Sequence, residues 1–392
     1  MLKVKITFWR VVLAILLITG AYVTLIRFFR GLGASTHLTD AFPWGLWIGF
    51  DVMCGVMLAA GGFTLTSAVY LFNLKKFKPI VRPTVLTAFL GYLLVVVALF
   101  FDLGRGYRIW HPLIMWNPRS VMFEVAWCVM LYSIVLSLEF SGVIFERFQL
   151  HKLLRLQKIL LIPLVIAGVM LSTLHQSSLG SLYLIVPNKL HPFWYTPLLP
   201  VLFFLSALCV GLAMTIFESS MSAKHFGKQL ELPLIQSLGR TLLVMIGIYT
   251  VVRFQDLLHR GALSLLSKGS WETGLFEVEV LLTSALPIGL LLVPRVRQSP
   301  KGLYLASVLC LLGFVSNRMN VAITGMEAAS GQHYFPKWTE IIVTLAIIGV
   351  GFFVFAVAVK YLPIFSHEVS FQSAAETEVA SAEVPELSHA QP

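Results

Sequence analysis

Seven side chains that can donate, accept or carry a proton stand within or at the ends of runs that are otherwise apolar. Asp51 lies in FPWGLWIGFDV, Asp102 and Arg105 close a second run in FFDLGRGYR, Glu124 opens a third after Ser120, and His175, Gln176 and Ser177 end a fourth. Ionisable groups are expensive in hydrocarbon, so where they occur they mark binding or proton-handling positions. A lipid-soluble quinone would use such a set. It needs an apolar slot for its ring and tail, donors for two carbonyl oxygens, and a route for the two protons that accompany two electrons. Positioned carboxyl and imidazole groups are the usual agents of such proton transfer.

These side chains must be carried by membrane helices. Apolar residues make up 57% of the chain, charged ones 12%, and the mean hydropathy is +0.84, far from the composition of a soluble domain. The apolar stretches are continuous rather than alternating, which predicts an all-α, polytopic bundle and excludes a β-barrel. Ten spans are expected, at roughly 7–29, 44–72, 84–104, 119–141, 157–177, 195–219, 236–256, 272–293, 301–321 and 338–361. The eighth and ninth are the least regular, because Glu277, Glu279, Arg318 and Asn320 fall in or beside them. The first run follows Lys3, Lys5 and Arg10 but is too long for a cleaved leader, so it is taken as a retained span. The transmembrane domain is expected over 1–362, and 363–392, acidic and without periodicity, as a disordered cytoplasmic tail.

Of the 29 Lys and Arg residues, 18 fall on the side of the termini, bunched at Lys75, Lys76, Lys78 and Arg82 and at Arg147, Lys152, Arg155 and Lys158. The positive-inside rule then puts both termini in the cytoplasm. Asp51, Asp102, Arg105, Glu124 and His175 thus share the outer half of the membrane, as do Arg253, Asp256, Glu277, Glu279, Arg318 and Asn320. Asp256, Glu279 and Arg108 suit helix-end solvation or interhelical pairing equally well. In the inner half, Glu139, Glu218, Tyr70 and Asn73 could relay protons towards the outer cluster.

Several chemistries find no support. Cys54, Cys128, Cys209 and Cys310 stand singly in apolar runs with no CxxC, so neither an iron-sulfur cluster nor a zinc site is expected in this chain. His175 is the one histidine expected deep in a span, which argues against a haem held by two imidazoles. The basic residues border the spans, and no phosphate-binding loop is present, so no nucleic-acid or nucleotide partner is expected beyond the lipid bilayer.

The run AFPWGLWIGFDV, the pair Gly61 and Gly62, AVYLFN, VRP at Arg82 and Pro83, FDLGR, NPRSVMFE and LHQSSLGS together resemble the NrfD/PsrC superfamily over residues 35 to 360. Within it the likeness is to the ten-helix HybB-type hydrogenase subunits and to the DsrP and HmcC subunits of sulfate-reducer complexes. The resemblance implies an inner-membrane subunit, not catalytic alone, that exchanges electrons between menaquinone or another membrane quinone and a periplasmic ferredoxin-like iron-sulfur subunit. That partner would be linked to a hydrogenase, a reductase or a multihaem cytochrome, with further membrane subunits in some complexes. It also implies quinone and proton-handling roles for Asp51, Asp102, Arg105, Glu124 and His175. Smaller family members carry a histidine on the first span, where this chain has Tyr22.

Two readings from other classes stand beside this one. A secondary transporter would bury charge in the same way but with an inverted repeat, which the sequence does not display. A purely structural anchor for a periplasmic enzyme would need neither Asp51 nor Glu124 in the membrane.

The charge bias makes a direct prediction. Single cysteines introduced near residues 76 and 152 should be shielded from an impermeant thiol reagent in intact cells, while those near 188 and 268 should react. The opposite labelling pattern would invert the topology.

Overall fold

The computed structural model describes residues 8–185, 189–226 and 230–365. The expected tail therefore lies outside the described residues apart from its first three positions, where Ile364 is buried and the Pro363 carbonyl accepts a hydrogen bond from Arg82. Among the described residues, ten helices are long and apolar enough to cross a membrane. They are α1 (Phe8–Arg30), α2 (Trp47–Leu71), α3 (Lys75–Asp102), α4 (Val121–Arg147), α5 (His151–Leu182), α6 (Leu199–His225), α7 (Leu232–His259), α8 (Trp271–Leu292), α9 (Pro300–Ser330) and α10 (Trp338–Tyr361).

Helices α3 and α9 extend well past the apolar runs, beginning at Lys75 rather than 84 and ending at Ser330 rather than 321. The added turn of α3 carries Lys76, Lys78 and Arg82, whose long stems can reach aqueous headgroups while the backbone stays helical. Serine side chains cap α4, α8 and α9, where Ser120, Ser270 and Ser299 accept from the amides of Phe123, Thr273 and Gly302. Glu124, Glu272 and Glu340 occupy the first turns of α4, α8 and α10, where a helix dipole favours negative charge. Asn73 takes a left-handed conformation in the turn between α2 and α3, one that asparagine tolerates better than most residues.

The helices pack as two up-and-down four-helix bundles, α2–α5 and α6–α9, with α1 and α10 paired against the outer side of α3. The bundles meet where α2 lies against α6 and α9. Accordingly α2 and α6 are the most enclosed spans, with 72% and 67% of their apolar windows buried, while α1 and α5 show most of theirs to lipid. Apolar burial drives little helix association inside a bilayer, so close packing at small residues has to supply it. Gly211 of α6 faces the Ala60 carbonyl of α2, Gly62 faces Ala88 of α3, and Gly313 of α9 lies on the backbone of Leu282 and Thr283 in α8.

Four stretches depart to π-helical geometry: Trp47–Cys54 and Ser67–Leu71 in α2, Leu281–Ala285 in α8 and Asn320–Thr324 in α9. Such bulges re-aim side chains and gather at functional sites. Asp51 lies inside the first, Glu279 just before the third, and Asn320 opens the fourth. The termini of the ten-span array share one side, called terminal here. The opposite side, called distal, carries the longer connections between spans.

A side chain at Gly313 would collide with backbone, whereas Gly247 has open space around it. Gly313→Val should destabilise the purified protein by about 1 to 3 kcal/mol or prevent its assembly. Gly247→Val should melt within a degree or two of wild type, and equal melting of the two variants would refute the α8–α9 contact.

Candidate functional site

Between the two bundles and α10 runs an apolar groove of about 590 Å³. Its walls come from α2, α3, α6 and α10 and include Gly55, Ala59, Leu90, Leu94, Phe217 and Ile348. That volume lies within the range of about 300 to 1,000 Å³ found for ligand pockets. The walls are almost wholly apolar, and the acids along them are Asp51 and Glu218.

Asp51 projects from the π-helical stretch of α2 and is 7% exposed. One of its oxygens, Oδ2, accepts from Thr344 Oγ1 of α10 at 2.8 Å. Asp102, at the distal end of α3, is within electrostatic reach of Asp51, Arg27 and Glu340. Arg27 is turned inward from α1 and ties down the same corner, with Nε donating to the Phe101 carbonyl at 2.6 Å and Nη2 to that of Leu103 at 2.8 Å. Glu340 accepts from Tyr334 Oη at 2.9 Å and from the Lys337 amide at 2.6 Å. Burial raises the Tyr334 phenol above its ordinary pKa, so it stays a donor to Glu340 while accepting from the Leu46 amide. Three carboxyl groups, one guanidinium and two hydroxyls thus converge where α1, α2, α3 and α10 meet.

His175 and Gln176 belong to a different interior. They lie in the core of the first bundle, both fully buried, with Gln176 Nε2 donating to the Val56 carbonyl at 3.1 Å. The imidazole stands 5.9 Å from the Tyr92 ring, which meets Tyr132 edge-on at 4.6 Å. Neither imidazole nitrogen has a hydrogen-bond partner among the described residues, and Tyr92 Oη, Tyr132 Oη and Ser172 Oγ are buried beside one another without a well-formed bond. Buried polar atoms in such numbers are normally satisfied, commonly by internal water. Helix α2 is the partition between the two interiors. Its Asp51 and Gly55 face the groove, while its Val56 carbonyl faces His175 and Gln176.

Of the other expected residues, Arg105, Glu124, Ser177 and Tyr22 fall apart from both interiors, whereas Glu139 and Glu218 lie in their terminal halves. Arg105 is exposed in the loop after α3, so the cation beside Asp102 is Arg27. Glu124 is half-buried in the first turn of α4, and Ser177 is half-buried and bonds back to the Thr173 carbonyl. Tyr22 is 59% exposed on the outward face of α1. Glu139 lies in the terminal half of the first bundle near Gly168 and Tyr70, and Glu218 lines the groove in its terminal half. Arg27, Glu340, Thr344 and Tyr334 were not singled out from the sequence. The available signal was Arg27 inside the α1 run, short of its end at Arg30, and a Glu in the first turn of the tenth.

A second polar centre forms in the bundle α6–α9. Glu279 is fully buried, pairs with Arg253, and accepts from Trp194 Nε1, Asn317 Nδ2 and Asn320 Nδ2, each at 2.8 Å. Arg253 also donates to Tyr249 Oη at 3.0 Å. Nearby, Asp256 pairs with Arg260 and accepts from Thr196. Every member has partners, and the network joins α7, α8 and α9 to the loop before α6. That is the pairing role left open for Asp256 and Glu279, whereas Glu277 is exposed. Arg318 is also buried, stacked 3.2 Å over Phe203 and donating to the Phe203 carbonyl and Ser206 Oγ. Among the described residues, no group of three or more His, Cys, Asp or Glu is placed to hold a metal ion.

The family model described as "Polysulphide reductase, NrfD" matches residues 34–328. A protein of Nitratidesulfovibrio vulgaris strain Hildenborough is 38% identical over 93% of this chain and 96% of its own length. The "probable Ni/Fe-hydrogenase 2 b-type cytochrome subunit" of Escherichia coli K12 is 34% identical over 86% of this chain and 87% of its own. The "menaquinone reductase, integral membrane subunit" of Nitratidesulfovibrio vulgaris is 30% identical over 89% of both.

The saturated pair in the second bundle yields a sharp stability prediction. Glu279→Leu would leave the Arg253 guanidinium buried and unpaired, at a cost of about 3 to 5 kcal/mol. The loss should appear as a lower melting temperature and less assembled protein, and adding Arg253→Met should restore much of it. Glu277→Gln, on the exposed face, should change neither quantity, and a wild-type-like Glu279→Leu would contradict the network.

Proposed function

The chain belongs to the NrfD polysulphide reductase family of integral membrane subunits, and on that premise we propose that it is the quinone-interacting subunit of a respiratory oxidoreductase complex. The observation that carries the reading is the apolar groove with Asp51 at its distal end. A quinone head needs a flat apolar slot with a few convergent polar groups, and a pocket of that character is where proteins commonly hold small ligands. Menaquinone or a related membrane quinone would supply two-electron, two-proton chemistry there. Two of the relatives point the same way by name, one as a hydrogenase subunit and one as a menaquinone reductase subunit.

In this reading Asp51 and Thr344 orient the head group by hydrogen bonds. Asp102, within electrostatic reach of Arg27 and Glu340, is the next proton-exchanging group towards the distal surface. His175, Gln176 and Glu139 handle protons in the first bundle, and Glu218 does so at the terminal end of the groove. Electrons pass to or from a ferredoxin-like iron-sulfur subunit docked on the distal face, itself joined to a hydrogenase, a reductase or a multihaem cytochrome. Exposed Tyr107, Trp110, Trp116, Trp271 and Phe335 on that face favour such a contact, since aromatic side chains are enriched in protein interfaces. The distal face is periplasmic and both termini are cytoplasmic, in keeping with the bias of basic residues towards the terminal side. The inner membrane is the site of action.

The acids can be tested by removing a transferable proton while keeping shape. Asp51→Asn and Asp102→Asn should leave the assembled complex and the reduction of the partner's cluster intact while slowing quinone-coupled turnover roughly 100- to 10,000-fold. The measurement is quinone turnover per assembled complex alongside cluster reduction. Wild-type turnover in both variants would remove these roles and favour a structural anchor.

A further inference from the structure

Two acids line the groove, and they are answered differently. Asp51 is bonded by Thr344, but neither oxygen of Glu218 has a well-formed hydrogen bond among the described residues although the residue is only 8% exposed. Thr87 of α3 stands next to Glu218 as the hydroxyl placed to bond it and has no other partner among the described residues, so at least one carboxyl oxygen is left unanswered. Both face into the groove, with Ser222 and His225 beyond them towards the terminal surface.

The two acids cannot serve one head group. Gly61 of α2 packs against Gly211 and Thr215 of α6, which fixes a common level. Asp51 lies ten residues to the distal side of that level and Glu218 three to seven to the terminal side. At 1.5 Å per residue the carboxyl groups are separated by roughly 20 Å along the membrane normal. That is far beyond the span of a single bicyclic ring, and apolar wall lies between.

An unanswered carboxyl group has acceptor lone pairs to spare in either protonation state, and a threonine hydroxyl beside it can both give and take a hydrogen bond. The complementary ligand is a flat apolar body bearing a hydroxyl donor. The reduced, dihydroxy form of a membrane quinone has that chemistry, and its tail suits the apolar walls. We infer that the terminal half of the groove is a second head-group site, built from Glu218 and Thr87, that binds the quinol form. It rests on the reading of the groove as a quinone site. It is a binding site only, with no electron transfer assigned to it, and it holds a reduced carrier in the half of the membrane opposite Asp51.

The test uses the complete complex in native membranes and an azido-naphthoquinol photoprobe, kept reduced without oxygen, with adducts mapped by peptide mass spectrometry. Wild type should be labelled both around residues 50–59 and around 214–222. Terminal labelling should fall at least about tenfold in Glu218→Leu, as expected on losing a hydrogen bond to a carboxyl group, and should fall also in Thr87→Val, with distal labelling retained. In wild type the oxidised probe should label the terminal end more weakly than the reduced one, a comparison that needs no variant. Labelling confined to the distal end, or terminal labelling unchanged in Glu218→Leu and equal for both probe forms, would overturn the second site and leave the quinone reading standing. Absence of label from both ends would overturn the two together.

Discussion

The contact of α2 with α6 governs the molecule. Gly61 and Gly211 let the two backbones approach at the middle of the membrane, where a larger residue would collide with the Ala60 carbonyl or with Thr84 and Thr215. Because lipid is as apolar as a leucine side chain, such close approach is a principal source of helix association in a bilayer. It sets the two four-helix bundles against each other, and the groove opens along the flank of that seam, where α3 and α10 complete its walls.

Once the bundles are joined, each buried polar group must be answered inside the protein. Glu279 represents full satisfaction, with Arg253, Trp194, Asn317 and Asn320 on its two oxygens. A network of that kind resists change, because losing any member strands the others in low dielectric. Asp51 has one hydroxyl and space beside it, while among the described residues His175 has no protein partner and Glu218 and Tyr132 have no well-formed bond. Unanswered groups cost free energy that a purely structural interior would not retain. They gather along the groove and in the first bundle, while the network around Glu279 in the second is satisfied and Arg318 beside it keeps Nε and Nη1 without a partner among the described residues.

The residues best anticipated from sequence were those whose cost is intrinsic. Asp51, Asp102, His175 and Glu218 were legible because a charged or polar group in an apolar run is anomalous wherever the helices go. Their expected convergence was only partly met. Depth follows from counting along a helix, and Asp51 and Asp102 do lie towards the same, distal side of the array. Facing depends on rotation about the helix axis, and the π-helical turns of α2 shift that rotation in a way an apolar run does not announce. Asp51 and the Val56 carbonyl open on opposite sides of one helix, and His175 is separated from the acids. Arg105 and Tyr22 were drawn in by proximity in sequence and by analogy, but one lies in an exposed loop and the other faces lipid.

That this is an all-helical membrane protein of ten spans follows from its continuous apolar runs, because hydrocarbon admits only segments that satisfy their own backbone. The sequence also carries the bias of basic charge to one side. Which acids share a chamber, that Arg27 rather than Arg105 stands beside Asp102, and that a groove separates the bundles were decided by tertiary structure. Those features depend on helix rotation and on contacts between residues as far apart as Asp51 and Thr344, and no local pattern encodes them.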